Sequence, residues 1–351
     1  MNKIIGEKDK LSPSLSVLPC PFLSYGSNWG EKVMKKTVSL IGILAISWFL
    51  VNNPWADTYV STLQENAVSV TATNSLYTTI SEKAKDYEKK PIDAKLDPVW
   101  KAIPGLNGVT VDIDASYKNM KKEKKFNEQR LVFKQVKPKI TLNDLPPAPI
   151  YKGNPEKEMV SFIINVAWGN EFLPDILSTL KKHHVKASFF LEGRWVQKNP
   201  DLAKMIAEAG HELGNHSYTH PDMSKISSSK IHEEIVKTND VIEATTGKQV
   251  TLLAPPSGYF NNEVVKIAAQ QKLKTVIWSV DTIDWQKPSP DTLLKRVTGK
   301  IHNGALILMH PTEVTTNSLE HLIIEIKNKG YKIDSVSDML SEERESIKTK
   351  K

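Results

Sequence analysis

Two histidines in a polar segment are the residues of this chain with the clearest capacity for chemistry. His216 and His220 lie four residues apart in the stretch Gly-His-Glu-Leu-Gly-Asn-His-Ser-Tyr-Thr-His-Pro, from Gly210 to Pro221. On a helix this spacing puts two side chains on one face, and in a tight loop it can bring two imidazoles together. Imidazole nitrogens are common ligands of zinc. The spacing therefore predicts a metal site, against the plainer alternative of two surface histidines near a helix end.

Apolar strand-like segments alternate with helix-like segments through the C-terminal half of the chain. The strand-like segments include 160–166, 187–191, 275–280 and 306–309, and the helix-like segments include 172–180, 202–209, 264–271 and 293–300. Such alternation is typical of βα units around a parallel sheet. The chemically capable residues end or follow these strands, which is where parallel barrels place their sites.

The order of motifs in this region resembles the NodB-type polysaccharide deacetylases, carbohydrate esterase family four. After the first strand and the histidine motif come three further segments, Leu253-Ala-Pro-Pro-Ser-Gly-Tyr259, Ile277-Trp-Ser-Val-Asp-Thr-Ile-Asp-Trp285 and Ala305-Leu-Ile-Leu-Met-His310. The resemblance covers residues 157–345 and implies an α/β fold, a distorted (β/α) barrel with an incomplete set of strands. It also implies a hydrolase fold that acts on N-acetylated glycans such as peptidoglycan or chitin-like chains.

Three positions that the resemblance assigns to the chemistry hold residues unsuited to it. The first motif of the family has two aspartates, the general base and the third metal ligand, and here Ala167 and Trp168 stand in their places. An arginine that holds the base is replaced by Ala254. Neither alanine nor tryptophan can take a proton from water or bind zinc. The losses are mutually consistent, because an arginine left without its aspartate would be an uncompensated buried charge.

The remaining site positions keep the residues of the family. The resemblance implies that His216 and His220 bind the metal, usually zinc, and that His310 protonates the leaving amine. A carboxylate should orient His310, and the sequence leaves both Asp284 and Asp281 open for that role. Without a third protein ligand, we expect a divalent metal such as zinc or cobalt to bind weakly at best, or not at all.

The resemblance further implies an oxyanion donor and a substrate groove. The donor would be the backbone N–H of Ser257, which follows paired prolines. The groove would contain Trp285, Pro255 and Pro256. Candidate substitutes for the lost carboxylates are Asn165, Asn170 and Glu171.

These losses and retentions favour a polysaccharide deacetylase family protein that binds N-acetylated cell-wall glycan and is catalytically impaired. The alternative is an active metal-dependent N-deacetylase, a hydrolase of non-peptide C–N bonds, with a substitute base. A purely structural role at the membrane is disfavoured, because a scaffold has no need of His216, His220, Asp284 and His310 together.

Composition agrees with a soluble globular protein that carries a tail or an anchor. Of 351 residues, 40% are hydrophobic and 25% are charged, and the formal net charge is +7. The single cysteine, Cys20, excludes a disulfide framework. No basic stripe interleaved with aromatic residues indicates nucleic-acid binding, and we interpret the lysine cluster 121–125 as a solvated surface.

The N-terminal region has the layout of a signal peptide. Met34-Lys-Lys precedes fifteen largely apolar residues, Thr37–Val51, without a clean Ala-x-Ala cleavage site afterwards. Residues 34–56 are therefore predicted to be a cleaved signal or an uncleaved membrane anchor, either of which places the protein outside the cytoplasm and facing the cell wall. Residues 1–33 make poor sense before a signal, so we hypothesise that translation starts at Met34.

Two segments separate this region from the predicted barrel. Residues 57–93 are polar with scattered apolar positions and are predicted to form a stalk or a partly helical connector. Residues 94–150 predict a small α+β module with strands near 109–113 and 131–136, closed by a stiff proline-rich linker at 145–150. Nothing in this module carries catalytic chemistry, so we expect it to act as a spacer or as a contact with wall polymer or a partner.

Overall fold

The computed structural model describes residues 29–344, and the chain divides into two compact units, residues 1–72 and 73–351. The first unit contains helix α1 (Trp29–Val51) and the start of helix α2 (Pro54–Ala84). Within residues 29–344, no single helix is both long and apolar enough to cross a membrane, although the bent pair 36–49 and 54–64 meets these criteria together. The signal or anchor at 34–56 stays a prediction. Residues 1–33 are the segment expected to precede the start of translation, and residues 1–28 of it lie outside the described residues.

The second unit begins with a small module that packs around its own apolar cluster. Its elements are the antiparallel strands β1 (Lys95–Asp97) and β2 (Lys101–Ile103), strand β3 (Gly108–Val111), helix α3 (Ile113–Met120) and strand β4 (Phe133–Val136), which pairs antiparallel with β3. The strands expected near 109–113 and 131–136 correspond to β3 and β4. Leu76 and Ile80 of α2 are buried in the same cluster as Met120. The core of the module thus draws on residues within the segment that the sequence assigns to a stalk.

The barrel is built on one sheet in which every pairing is parallel. The strands lie in the spatial order β10 (Val280–Asp281), β11 (Leu306–Met309), β5 (Met159–Val166), β6 (Ser188–Leu191), β7 (Glu212–Asn215), β8 (Leu252–Leu253) and β9 (Lys274–Thr275), with β12 (Lys332–Ile333) paired to the start of β5. The helices are α4 (Leu173–Lys182), α5 (Gly193–Lys198), α6 (Pro200–Glu208), α7 (Ser228–Thr246), α8 (Asn262–Gln270), α9 (Pro290–Thr298), α10 (Glu313–Asn328) and α11 (Val336–Leu340). This half-barrel confirms the distorted (β/α) barrel expected from the motif order.

Strand β5 lies inside this sheet and is buried on both faces, which explains its almost continuous apolar sequence. Phe162 and Ile164 pack in the cluster that includes the apolar residues of α4 and α10. Ile163 packs in a second cluster with Phe190 of β6. Because side chains alternate along a strand, Asn165 shares the inner face with Ile163. The carboxyl end of β5 then delivers Ala167 and Trp168 to the rim of the sheet.

The proline-rich segment 145–150 joins the module to the barrel by pairing with both. Ala102 N of β2 donates a hydrogen bond to Pro149 O, and Ile150 N donates to Thr275 O at 2.9 Å. Ile150 is buried in the same inner cluster as Ala102. The segment is therefore part of a packed junction.

The residues that follow α11 return to the module. Asn107 N donates to Glu342 O, and Leu142 N donates to a Glu342 carboxylate oxygen at 2.6 Å. Arg344 Nε donates to Asn107 O at 2.6 Å. The residues after α11 thus form a second set of contacts between the barrel and the module.

Candidate functional site

The two histidines of the segment 210–221 lie close together in the loop after β7. The ring centroids of His216 and His220 are 5.0 Å apart. His216 is buried, and its Nδ1 is 2.7 Å from Ala254 O. A carbonyl oxygen only accepts, so Nδ1 carries the proton and Nε2 keeps its lone pair. Burial, and then the neighbouring His220, lower the pKa of His216 to about 3, so this ring is neutral at neutral pH. The pKa of His220 is also lowered by desolvation of its ring, although the residue as a whole is exposed.

A buried carboxylate on α7 holds this histidine loop in place. The side chain of Glu234 accepts hydrogen bonds from Tyr218 N at 2.8 Å, from Thr219 N at 2.7 Å and from Thr219 Oγ1 at 2.8 Å. The loop backbone is in the left-handed region at Ser217 and His220, with φ of 60° and 56°. Such backbone is unfavourable for non-glycine residues, so it persists only where surrounding contacts fix it. Sequence reasoning missed Glu234, because a glutamate within an amphipathic helix carries no distinguishing signal.

His310 is oriented by Asp284. Its Nδ1 lies 2.8 Å from one Asp284 oxygen, so this nitrogen donates and Nε2 is left to face the site. The other Asp284 oxygen accepts from His310 N at 2.5 Å and from Thr315 Oγ1 at 2.7 Å. Asp281, the alternative left open by the sequence, instead accepts from Ile283 N at 2.8 Å, and burial raises its pKa. Thr315 was also missed, because a threonine at the start of a helix is ordinary.

The three positions at which the family resemblance expects two aspartates and an arginine adjoin these histidines. Trp168 is 47% exposed, and its indole stacks on the His310 ring with centroids 5.9 Å apart and planes at 9°. Ala167 is half-buried beside it. Ala254 is fully buried, and its carbonyl accepts the His216 hydrogen bond. An aromatic ring thus lies against His310, in the position where the family resemblance expects a carboxylate.

The described residues do not fit a resident divalent metal. Within residues 29–344, no group of three or more histidine, cysteine, aspartate or glutamate side chains is placed to hold one. Zinc takes three or four protein ligands, and His216 with His220 supplies two. Asn170 is occupied elsewhere, because its amide accepts from Trp195 Nε1 at 2.6 Å and donates to Asn199 at 2.8 Å.

The other two candidate substitutes for the missing carboxylates, Asn165 and Glu171, differ in exposure. Asn165 is buried, and its Oδ1 has no hydrogen-bond partner in the part of the chain that the structure describes. An orphaned buried acceptor of this kind is uncommon, and it lies on the face where the family resemblance expects the aspartate and the arginine. Glu171 is exposed at the rim.

The segment predicted to supply the oxyanion donor forms a tight turn after β8. Gly258 N donates to Pro255 O, and Tyr259 N donates to Pro256 O, both at 3.0 Å. Ser257 adopts a left-handed φ of 55° at the exposed tip of this turn. The turn and the histidine loop both follow strand ends at the same edge of the sheet.

A cavity of about 470 Å³ opens beside His310 and includes the predicted groove residue Trp285. Two exposed indoles, Trp168 and Trp285, contribute to its wall. Its other lining residues are Glu171, Phe172, Asp284, Lys287, Pro288, Pro290, Thr312, Glu313, Val314 and Asn317. Pro255 and Pro256 do not line this cavity; both are buried beneath the turn of Ser257. The volume is within the range of small-molecule sites.

The fold and this site define a class of protein: the chain belongs to the polysaccharide deacetylase family. A family profile described as polysaccharide deacetylase matches residues 152–276. The chain is 54% identical over 300 residues to the uncharacterized protein YlxY of Bacillus subtilis, covering 85% of this chain and 94% of YlxY.

Two further relatives bear on the chemistry. The crystal structure of BA3943 from Bacillus anthracis, described as a pseudoenzyme of carbohydrate esterase family 4, superposes with a TM-score of 0.72 at 55% identity, covering 76% of this chain and 95% of that one. A BA3943 mutant described as having restored enzymatic activity has the same TM-score at 54% identity, with 76% and 98% coverage. A peptidoglycan-N-acetylglucosamine deacetylase of Bacillus cereus is 36% identical over 180 residues, 50% of this chain and 66% of that protein.

Proposed function

We propose that this protein binds N-acetylated cell-wall glycan and does not hydrolyse it. The observation that carries the proposal is the indole of Trp168 stacked on His310 where a deacetylase needs a carboxylate. Hydrolysis of an N-acetyl group needs an activated water and a group that takes its proton. Ala167 and Trp168 supply neither. The description of BA3943 as a pseudoenzyme, at 55% identity, supports the same conclusion for this chain.

The retained residues have defined uses in binding. The exposed faces of Trp168 and Trp285 can stack on the apolar faces of sugar rings. In the part of the chain that the structure describes, Nε2 of His216 and Nε2 of His310 have no hydrogen-bond partner, because the bond that orients each ring is made by Nδ1. Each Nε2 can therefore accept a hydrogen bond from a sugar hydroxyl. The backbone N–H of Ser257 is our candidate donor to the acetyl carbonyl. In this proposal Asp284 positions His310 for binding.

Peptidoglycan is the glycan class best supported. The Bacillus cereus relative is named as a deacetylase of peptidoglycan N-acetylglucosamine. Zinc or cobalt, if added, should bind weakly to His216 and His220, because two imidazoles without a third ligand form an incomplete site. A chitin-like chain shares the N-acetylglucosamine unit, so it is the second ligand to test.

We further propose that the protein acts outside the cytoplasm. The Bacillus cereus relative is named as a peptidoglycan deacetylase, which supports this location. The apolar run at 37–51 would serve as the signal or membrane anchor, with translation starting at Met34. Mass spectrometry of the unprocessed protein tests the start, since peptides from residues 1–33 would contradict it.

Acetate release and glycan binding, measured on one purified sample, test the proposal. We expect no acetate from peptidoglycan or N-acetylglucosamine oligomers, with or without added zinc or cobalt, but saturable binding of the glycan. Trp168→Ala should weaken binding about fivefold to tenfold, from the loss of roughly 1–1.5 kcal/mol of stacking. Trp55→Ala removes another exposed indole, far from these motifs in sequence, and should leave affinity unchanged. Stoichiometric acetate release would overturn the proposal and favour an active enzyme with a substitute base.

A further inference from the structure

The cavity beside His310 has an excess of negative charge, which an uncharged N-acetylated sugar does not complement. Three carboxylates line it, Glu171, Asp284 and Glu313, against one ammonium group, Lys287. Asp284 is occupied by its hydrogen bonds to His310 and Thr315. An N-acetylhexosamine is neutral. The excess negative charge therefore favours a cationic ligand group.

Two of these carboxylates are available to a ligand. Glu171 and Glu313 are both exposed, and neither has an ion pair or a side-chain hydrogen bond to any residue in the described range 29–344. Glu313 lies in the first turn of α10, and Glu171 lies two residues after Gly169, whose backbone is left-handed. They reach the same cavity from two different elements.

The aromatic wall adds a second attraction for a cationic sugar. His310 stacks against one face of Trp168, yet the Trp168 side chain remains 47% exposed, and Trp285 is 54% exposed. Indole faces attract both the C–H groups of a sugar ring and a nearby cation. A cavity of about 470 Å³ is large enough for a small ligand.

We propose that this cavity binds a hexosamine unit whose amine is free and protonated, in preference to the N-acetylated unit. The ligand class is thus the product of deacetylation, held by stacking on Trp168 and Trp285 and by the carboxylates of Glu171 and Glu313. The inference rests on the proposed glycan-binding function and specifies it. A protein with this preference recognises glycan that a deacetylase has already modified.

Titration calorimetry with two matched oligomers tests the inference on the purified full-length chain. The probes are the glucosamine tetramer and the N-acetylglucosamine tetramer, compared at about pH 6, where the amine of a free glucosamine unit is protonated. We expect the free-amine tetramer to bind about tenfold more tightly, with the difference shrinking as salt rises. Glu171→Gln with Glu313→Gln should make the two affinities equal within about twofold. Glu325→Gln, an exposed glutamate elsewhere on α10, is the matched control and should preserve the preference.

The outcomes separate this inference from the function on which it rests. Equal binding of both oligomers by the parent chain would overturn the inference and leave the glycan-binding function standing. Binding of neither oligomer would overturn both. A preference that survives in the double glutamine variant, or that is lost in Glu325→Gln, would mean that general surface charge attracts the amine, and would also overturn the inference. Binding of the free-amine oligomer alone would support the inference and remove N-acetylated glycan as the ligand.

Discussion

Replacement of Glu234 by alanine should destabilise the protein through the histidine loop. This carboxylate is fully buried and accepts from two backbone N–H groups and one hydroxyl, at 2.7–2.8 Å. Hydrogen bonds to a charged group contribute roughly 1.5–3 kcal/mol each, and orphaned buried donors cost about 1–3 kcal/mol each. Tyr218 and Thr219 are only half-buried, so water can reach some of the released donors. We therefore expect a net loss of about 3 kcal/mol.

The neighbouring Glu233 provides a matched control. It lies on the same helix, is exposed, and forms surface ion pairs with Lys230 and Lys237. Exposed pairs are worth about 0–1 kcal/mol, and the change in helix propensity on replacement by alanine is the same at both positions. Glu233→Ala should therefore cost less than about 1 kcal/mol.

Urea denaturation of the two variants and the parent gives the comparison, with thermal unfolding as a second measure. A loss of about 3 kcal/mol corresponds to roughly 6–12 °C in Tm for a domain of this size. Glu234→Gln retains one acceptor oxygen and should fall between the parent and Glu234→Ala. If Glu234→Ala and Glu233→Ala lie within about 0.5 kcal/mol of one another, the loop does not depend on this carboxylate and the reasoning is wrong.

Three further predictions concern other parts of the chain. The combined substitutions Ala167→Asp and Trp168→Asp, with Ala254→Arg, should raise bound zinc towards about one per chain and give measurable acetate release. Bound zinc is measured by elemental analysis. No gain in zinc would show that the remaining residues no longer have the geometry of a metal site. Burial lowers the pKa of His211 to about 4, whereas the pKa in the unfolded chain is near 6.5. The unfolded chain therefore binds the proton more readily. The free energy of unfolding should fall by up to about 3 kcal/mol as the pH drops from about 6.5 to 4. His211 Nδ1 accepts a hydrogen bond from Ala187 N, and the amide oxygen of an asparagine could accept the same bond. His211→Asn should therefore lose less stability across that pH range, as measured by urea denaturation. Ile80→Ala should destabilise the module by about 2–5 kcal/mol in the same assay, and an effect below about 1 kcal/mol would argue against its place in the core.

Local signals account for the parts of the structure that the sequence predicts. The buried strand at 159–166 is visible because an apolar run of this length, bounded by polar residues, is typical of a parallel sheet. The proximity of His216 to His220 follows from their spacing. The region of Asp284 and His310 is predictable because both follow apolar strands, and strand ends meet at one edge of the sheet.

Contacts between distant residues account for what the sequence does not predict. The choice of Asp284 over Asp281 depends on how the loop after β10 turns, which pairs Asp284 with His310 across 26 residues. The stacking of Trp168 on His310 joins two strand ends and has no signature in either segment. The burial of Leu76 and Ile80 is not visible in the sequence, because α2 is only weakly amphipathic. Their place in the core depends on contacts with the cluster that contains Met120 of α3.

The hydrogen bonds between the chain's last described residues and the module have a consequence for the order of folding. Leu142 is bound by Glu342 and Asn107 by Arg344, partners that are 200 and 237 residues apart. A chain emerges from the ribosome N-terminus first, and contacts of such long separation form late. The module is therefore synthesised long before the residues that complete its docking. During that interval the backbone groups of Asn107 and Leu142 face solvent, and a chain stopped before residue 342 would keep a barrel with a loosely held module.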